Sequence, residues 1–115
     1  MIKAKGYAAH SAEASLVLFD FERKEPEAND LLIDILYCGV CHADIHQSKN
    51  QYGGTVYPLI PGHEIVGRVK ATGDQVTGYK TGDLVGVGYF INSCRHCSSC
   101  DEGEEQYCEH GITPT

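Results

Sequence analysis

"LLIDILYCGVCHADIHQSKN", Leu31 to Asn50, runs an apolar segment into two cysteines and then into a short polar one. The first eight residues, Leu31 to Cys38, lie between "EPEAND" and Gly39 and read as a β-strand closed off by turn residues. His42 to Asn50 reads as a short helix. A strand, a C-x-x-C pair and a helix can also open a dithiol redox fold, which is built from βαβ units. The flanking sequence offers strands instead. Ile2 to Ala9 and Ser15 to Glu22 precede the stretch, and "PGHEIVGRVKATG", Pro61 to Gly73, is a turn feeding a strand that ends at a glycine. "GDLVGVGYFI", from Gly82, reads as one further strand, and "SSCDEGEE" as a turn of helix. The expected architecture is mostly β, an open antiparallel barrel or sandwich with long loops and short helices.

The composition agrees with that architecture and narrows the partners. A chain of 115 residues is the size of one domain. Thirteen glycines favour strands and turns over long helices. Sixteen acidic against nine basic residues give a net charge of −7, which repels nucleic-acid phosphates and anionic membrane surfaces. The opening "MIKAKGYAAHSAE" has no apolar run of signal-peptide length, and no segment reaches the roughly 18 apolar residues of a membrane span. A cytoplasmic location is therefore expected, with no nucleic-acid or membrane partner.

Six cysteines in a chain read as cytoplasmic point to metal or redox chemistry rather than to structural disulfides. Four of them, Cys94, Cys97, Cys100 and Cys108, fall within fifteen positions. Tetrahedral zinc with Zn–S bonds of about 2.3 Å needs its sulfurs roughly 3.8 Å apart, and a C-x-x-C turn delivers two of them. Here the turn occurs twice, sharing Cys97, and Gly103 can bend the chain so that Cys108 becomes the fourth ligand. Such a site has no open position, so the lobe from Ser93 to His110 is expected to be held by a structural zinc. An iron–sulfur cluster is the rival, although the ferredoxin run continues x3-C-P where this one continues x7-C-E. Paired disulfides are disfavoured by the redox poise of the compartment.

Chemistry is then sought elsewhere. His63 and Glu64 of "PGHE" come 22 and 23 positions after Cys41, so cysteine, histidine and carboxylate stand at two separate loop ends. Three protein ligands with a fourth position left open are what a catalytic zinc requires. This spacing also fits a hydrogen-bonded core histidine. Cys38 and Cys41 could form a thioredoxin-type pair, but that would leave "PGHE" and the four-cysteine lobe without a role.

Taken together, "YCGVCHADIHQSKN…YPLIPGHEIVGRV", "GDLVGVG" and the four-cysteine lobe resemble the catalytic domain of zinc-dependent medium-chain alcohol dehydrogenases, nearest to the cinnamyl alcohol dehydrogenase-like aldehyde reductases. The resemblance runs from Ile2 onward and implies a GroES-like barrel over residues 1–115 carrying two zincs. It implies Cys41 and His63 as catalytic zinc ligands, Glu64 as a further or occasional ligand, and Asp44 as the carboxylate orienting the ligand histidine. Cys38 matches a position that is not a ligand. His42 matches a position near the cofactor pyrophosphate, and Tyr52 and Tyr89 match positions lining the substrate pocket.

The implied activity is hydride transfer between a small alcohol or aldehyde and NADP or NAD, with zinc as Lewis acid. The family relays the proton through a hydroxyl two residues after the ligand cysteine and a histidine five residues after it. Here those positions hold Ala43 and His46, so a water must bridge the gap or the relay is weakened. The family also has a third cysteine ligand for the catalytic zinc and a Rossmann domain beyond the positions matched here, through which a homo-oligomer could form. These 115 residues contain no G-x-G-x-x-G. They are therefore expected to be inactive alone, with the catalytic zinc partly bound or absent. The alternative reading is a self-standing zinc-binding interaction module without catalysis.

Overall fold

The computed structural model describes residues 1–115. Seven strands and two short helices form three small antiparallel sheets. β1 (Ile2–Ala8) pairs along its whole length with β2 (Val17–Arg23). β3 (Leu31–Gly39), β4 (Glu64–Thr72) and β5 (Leu84–Val87) form the central sheet in that order. β6 (Phe90–Asn92) pairs with β7 (Thr113–Pro114). A bridge between Ala9 and Leu59 ties the loop that precedes β4 to the end of β1. The fold is mostly β, as expected.

The central sheet sets the geometry of everything else. In β4 the residues alternate in burial, with Gly67 and Val69 turned inward and Arg68 and Lys70 outward, the period of two that a strand imposes. Val69 is the largest fully buried side chain, and Ala8 and Ala9 are completely enclosed. Two irregularities bend the β3–β4 ladder. Lys70 is passed over between the Leu32–Ala71 and Ile33–Val69 pairs, and Leu36 between Ile35–Gly67 and Tyr37–Val66. Such bulges curve a strand and increase its twist, as barrels need. They also leave Gly39 opposite Glu64 at the end of the sheet.

One expected strand is two. The segment from Gly82 that reads as continuous breaks at Gly88 and Tyr89, and the physical reason is a change of partner. β5 bonds to β4, whereas β6 leaves the sheet to pair with β7 near the end of the chain. The first helix, α1, covers His42–Ser48, and the second, α2, is a single turn at Ser98–Asp101. No helix is long and apolar enough to cross a membrane.

Burial is shallow for a chain with 42% hydrophobic residues. Tyr37 is 74% exposed and Leu84 60% exposed on the central sheet.

β4 ends where two turns cross at backbone distance. Gly73 N–H donates to the Asp30 carbonyl at 2.8 Å, and Gln75 N–H to that of Ala28 at 2.9 Å. A Cβ on residue 73 would overlap the carbonyl oxygens of Glu27 and Ala28. Backbone cannot yield as a flexible side chain can, so Gly73→Ala should destabilise the chain by about 1–3 kcal/mol, the usual cost of overpacking. The urea midpoint should fall with an unchanged slope; an unchanged midpoint would mean that the two turns separate freely.

Candidate functional site

The site is built where β3 ends and β4 begins. Because the two strands are antiparallel and Gly39 faces Glu64, the residue two beyond the first and the residue just before the second meet at one end of the sheet. They are Cys41 and His63. Their ligand atoms and a carboxylate oxygen of Glu64 all lie within 4.8 Å of one another. Cys41 and His63 are half-buried, whereas Glu64 is exposed.

Asp44 braces both sides of this cluster. Cys41 stands at the N-cap of α1, and its N–H donates to Asp44 Oδ2 at 3.0 Å. The other oxygen, Oδ1, sits 3.3 Å from His63 Nδ1 in a geometry too oblique for a proper hydrogen bond, and it has no other partner. Asp44 is only 7% exposed. A buried carboxylate oxygen left in this state is held for the histidine it faces, because a lone buried polar atom is otherwise costly. With Nδ1 turned to Asp44, Nε2 is the nitrogen free to act as a ligand.

Gly62 allows the approach. Its φ of 135° is unfavourable for side chains, and a Cβ there would come within 2.7 Å of Cys38 Sγ. Cys38 Sγ therefore lies against Gly62 of the PGHE turn, although Cys38 is exposed rather than the buried side chain that a small residue at a strand end suggests. Its sulfur bonds weakly to the Gly39 carbonyl at 3.7 Å and is not part of the three-residue cluster.

A cleft of about 320 Å³ opens beside His63. Ala43, Tyr52 and Tyr89 line it, together with Leu59, Ile60 and Thr115. Both tyrosines singled out in the sequence thus reach the same cavity from different loops. Thr115 and Gln47 were not foreseen, since nothing in their local sequence marks them and only the β6–β7 pairing carries Thr115 there. His46 stands behind the cleft. Its Nδ1 is hydrogen-bonded to Gln51 Oε1, and its ring lies 4.7 Å from that of His42 and 5.3 Å from that of Tyr52. Gln51 was also missed: a glutamine in a loop carries no sequence signal of its own.

The four-cysteine lobe is a separate structure. Cys94, Cys97, Cys100 and Cys108 bring their sulfurs within 4.8 Å of one another, and none is in a disulfide. Cys94 and Cys100 sulfurs are 3.8 Å apart. Backbone N–H groups point at the sulfurs, from Cys97 to Cys94 Sγ at 3.3 Å, from Cys94 to Cys108 Sγ at 3.4 Å, and from Cys100 and Glu109 to Cys97 Sγ at 3.5 Å. Donors of this kind favour the thiolate. At Cys97 they pull the thiol down to about 6, chiefly through the Glu109 and then the Cys100 backbone N–H, against an opposing push from burial. The arrangement is a closed set of four soft donors, able to hold a tetrahedral ion and unable to offer it a fifth partner.

Comparison with known proteins agrees with this fold. Residues 27–114 match the family model described as the alcohol dehydrogenase GroES-like domain, and the chain belongs to that family. It is 55% identical over 109 residues to the aldehyde reductase YahK of Escherichia coli, covering 95% of this chain and 31% of that protein. It is 52% identical over 105 residues to the probable cinnamyl alcohol dehydrogenase 8A of Oryza sativa, covering 91% of this chain and 29% of that one. Among solved structures, the CAD from Helicobacter pylori complexed with NADP(H) superposes with a TM-score of 0.95 at 44% identity, covering 99% of this chain and 33% of that one. The chain thus spans about a third of the length of these relatives.

The low Cys97 value yields a direct test. In metal-free protein one thiol should ionise with a midpoint near 6, seen as thiolate ultraviolet absorbance, and Cys97→Ser should remove that step. Ionisation of every thiol only above about pH 8, the ordinary cysteine range, would contradict the N–H···S geometry.

Proposed function

We propose that these residues are the zinc-carrying catalytic part of a dehydrogenase that interconverts a small alcohol and its aldehyde with NADP or NAD. The observation that carries this reading is the convergence of Cys41, His63 and Glu64 beside a cleft lined by Ala43, Tyr52 and Tyr89, in a chain of this family. The relatives' names point the same way, to aldehyde reduction and cinnamyl alcohol oxidation, and one of them is an NADP-dependent alcohol dehydrogenase of Mycobacterium bovis.

The residues present fit zinc at both places. Cysteine sulfur, imidazole nitrogen and carboxylate are its preferred donors, and the orphaned Asp44 oxygen behind His63 is the kind of partner that fixes a ligand histidine. At the lobe, the 3.8 Å sulfur separation equals the edge of a tetrahedron with Zn–S bonds of about 2.3 Å. Zinc bound by Cys41, His63 and Glu64 would supply Lewis-acid polarisation of the substrate oxygen, and the dinucleotide a hydride acceptor.

The chain's own residues do the rest. Asp44 holds His63 in one tautomer and orientation and fixes Cys41 through its backbone. Tyr52 and Tyr89 offer apolar ring faces to the substrate body. Gln51 accepts from His46 Nδ1, which places the proton there and leaves His46 Nε2 able to accept one from the active site. Ala43 supplies no hydroxyl between the cleft and His46, so a water is the carrier across that gap. His42, exposed at the start of α1 with its ring 4.7 Å from that of His46, is the residue assigned to the cofactor phosphates. The exposed Tyr37 and Leu84 suit coverage by the portion of the relatives' length that lies outside these residues.

Metal analysis and activity test the reading together. The 115-residue chain should keep about one zinc after mild chelation, held by the lobe, because four thiolates outcompete a three-residue set that includes an exposed carboxylate. Two tightly held ions would show that Cys41, His63 and Glu64 suffice alone. In the full-length protein Cys41→Ser should abolish alcohol oxidation; retained turnover would overturn the assignment.

The relay gives a second test in the full-length protein. Ala43→Ser should raise the rate of alcohol oxidation, by up to ~10²-fold, the lower range of a general acid–base contribution. An unchanged rate between about pH 6 and 9 would mean that water already carries the proton as fast as it is needed.

A further inference from the structure

The lobe holds a second convergence of metal-binding groups, two of which, His96 and His110, neither proposed centre uses. His96 and His110 are both exposed, with ring centroids 5.3 Å apart and planes tilted by 50°. One nitrogen from each, together with Cys94 Sγ, forms a set whose members all lie within 4.8 Å of one another. The backbone has been bent to produce this. Arg95 adopts a φ of 67°, uncommon for a residue with a side chain, and the reversal lets His96 N–H donate to Cys94 Sγ at 3.4 Å. On the other side, Gly111 with a φ of 85° closes a turn onto the Cys108 carbonyl at 3.0 Å, and His110 is carried on that turn. Neither ring is drawn away into a hydrogen bond or an ion pair with another side chain.

The surroundings favour a cation. Asp101, Glu102, Glu104, Glu105 and Glu109 all belong to the lobe, whose one lysine or arginine is Arg95. Imidazole nitrogen and thiolate sulfur select borderline ions such as Zn²⁺ and Ni²⁺ over Mg²⁺ and Ca²⁺, which prefer oxygen. A thiolate retains lone pairs after binding one metal, so Cys94 Sγ can serve the four-cysteine centre and a neighbour at once.

We propose that His96, His110 and Cys94 Sγ form a further, solvent-facing site for a borderline divalent metal ion such as Zn²⁺, sharing one sulfur with the four-cysteine centre. Three protein ligands leave a position for water, so the ion is exchangeable where that of the closed centre is not. An ion held there is one shared sulfur away from the closed centre.

The test uses the 115-residue chain with its tight zinc in place, titrated with Zn²⁺ alone and followed by calorimetry and by the histidine ring resonances. The parent should take up one exchangeable equivalent during which the His96 and His110 resonances move together, apart from any zinc taken by Cys41, His63 and Glu64, which leaves those resonances in place, and Mg²⁺ at the same concentration should not move them. Loss of even an outer partner of a metal ligand costs roughly 10–100-fold in affinity, so His96→Ala with His110→Ala should weaken this equivalent by at least about 100-fold. Tight zinc retained through gel filtration should be unchanged, which separates failure of this site from failure of the four-cysteine reading. Should the double variant loosen the lobe, His110→Gln alone must still weaken the equivalent by about tenfold with the tight zinc kept. Equal exchangeable zinc in parent and variants, rings that do not respond to zinc, or an equal response to Mg²⁺ would each overturn the proposal.

Discussion

The pairing of Gly39 with Glu64 at the end of the β3–β4 ladder is the constraint from which the candidate centre follows. It brings two loop ends separated by more than twenty residues to one edge of the sheet, with Cys41 beginning a helix on one side and His63 closing a turn on the other. The register depends on the passed-over Leu36. A slip of one residue would turn each side chain of β3 to the opposite face and shift Cys41 away from His63, because the strand period is two. The bulge is thus a positioning device as much as a source of curvature.

Asp44 converts that rough convergence into a defined geometry. One of its oxygens holds the Cys41 N–H and the other faces His63 Nδ1, so both principal donors are referred to a single buried carboxylate. Burying an acidic group that accepts only one good hydrogen bond costs stability. The structure tolerates this where the second oxygen faces His63 Nδ1 and leaves the other ring nitrogen unused by Asp44. Local departures from the most stable arrangement are expected at working sites.

The two cysteine-containing centres differ in how they are held. The four-cysteine lobe draws all its donors from fifteen consecutive residues and surrounds them with backbone N–H groups, so it is nearly independent of the barrel. The Cys41 centre draws its donors from two distant segments and depends on the sheet between them. A closed set of thiols suits a structural role, and an open set beside a cleft suits chemistry.

How much of this was legible in the sequence follows from the same distinction. The lobe could be read directly, because C-x-x-C spacing is a local geometric fact that survives whatever the rest of the chain does. The strands β1 to β4 and helix α1 were legible to within two residues at most of their ends, since apolar runs bounded by glycine and polar turns carry that signal. The proposed ligand set Cys41, His63 and Glu64 was suggested by spacing and by a family resemblance, and the structure brings these three side chains together. Three things only the tertiary structure decided. The segment after Gly82 became two strands because its halves found different partners. Thr115, Gln47 and Gln51 joined the cleft and the His46 environment because pairing and packing carried them there. The meeting of His96, His110 and Cys94 required the left-handed backbone at Arg95, which no pattern of residue types announces. Sequence determines what a contiguous segment must do; contacts between distant segments depend on register and curvature, which the whole sheet sets.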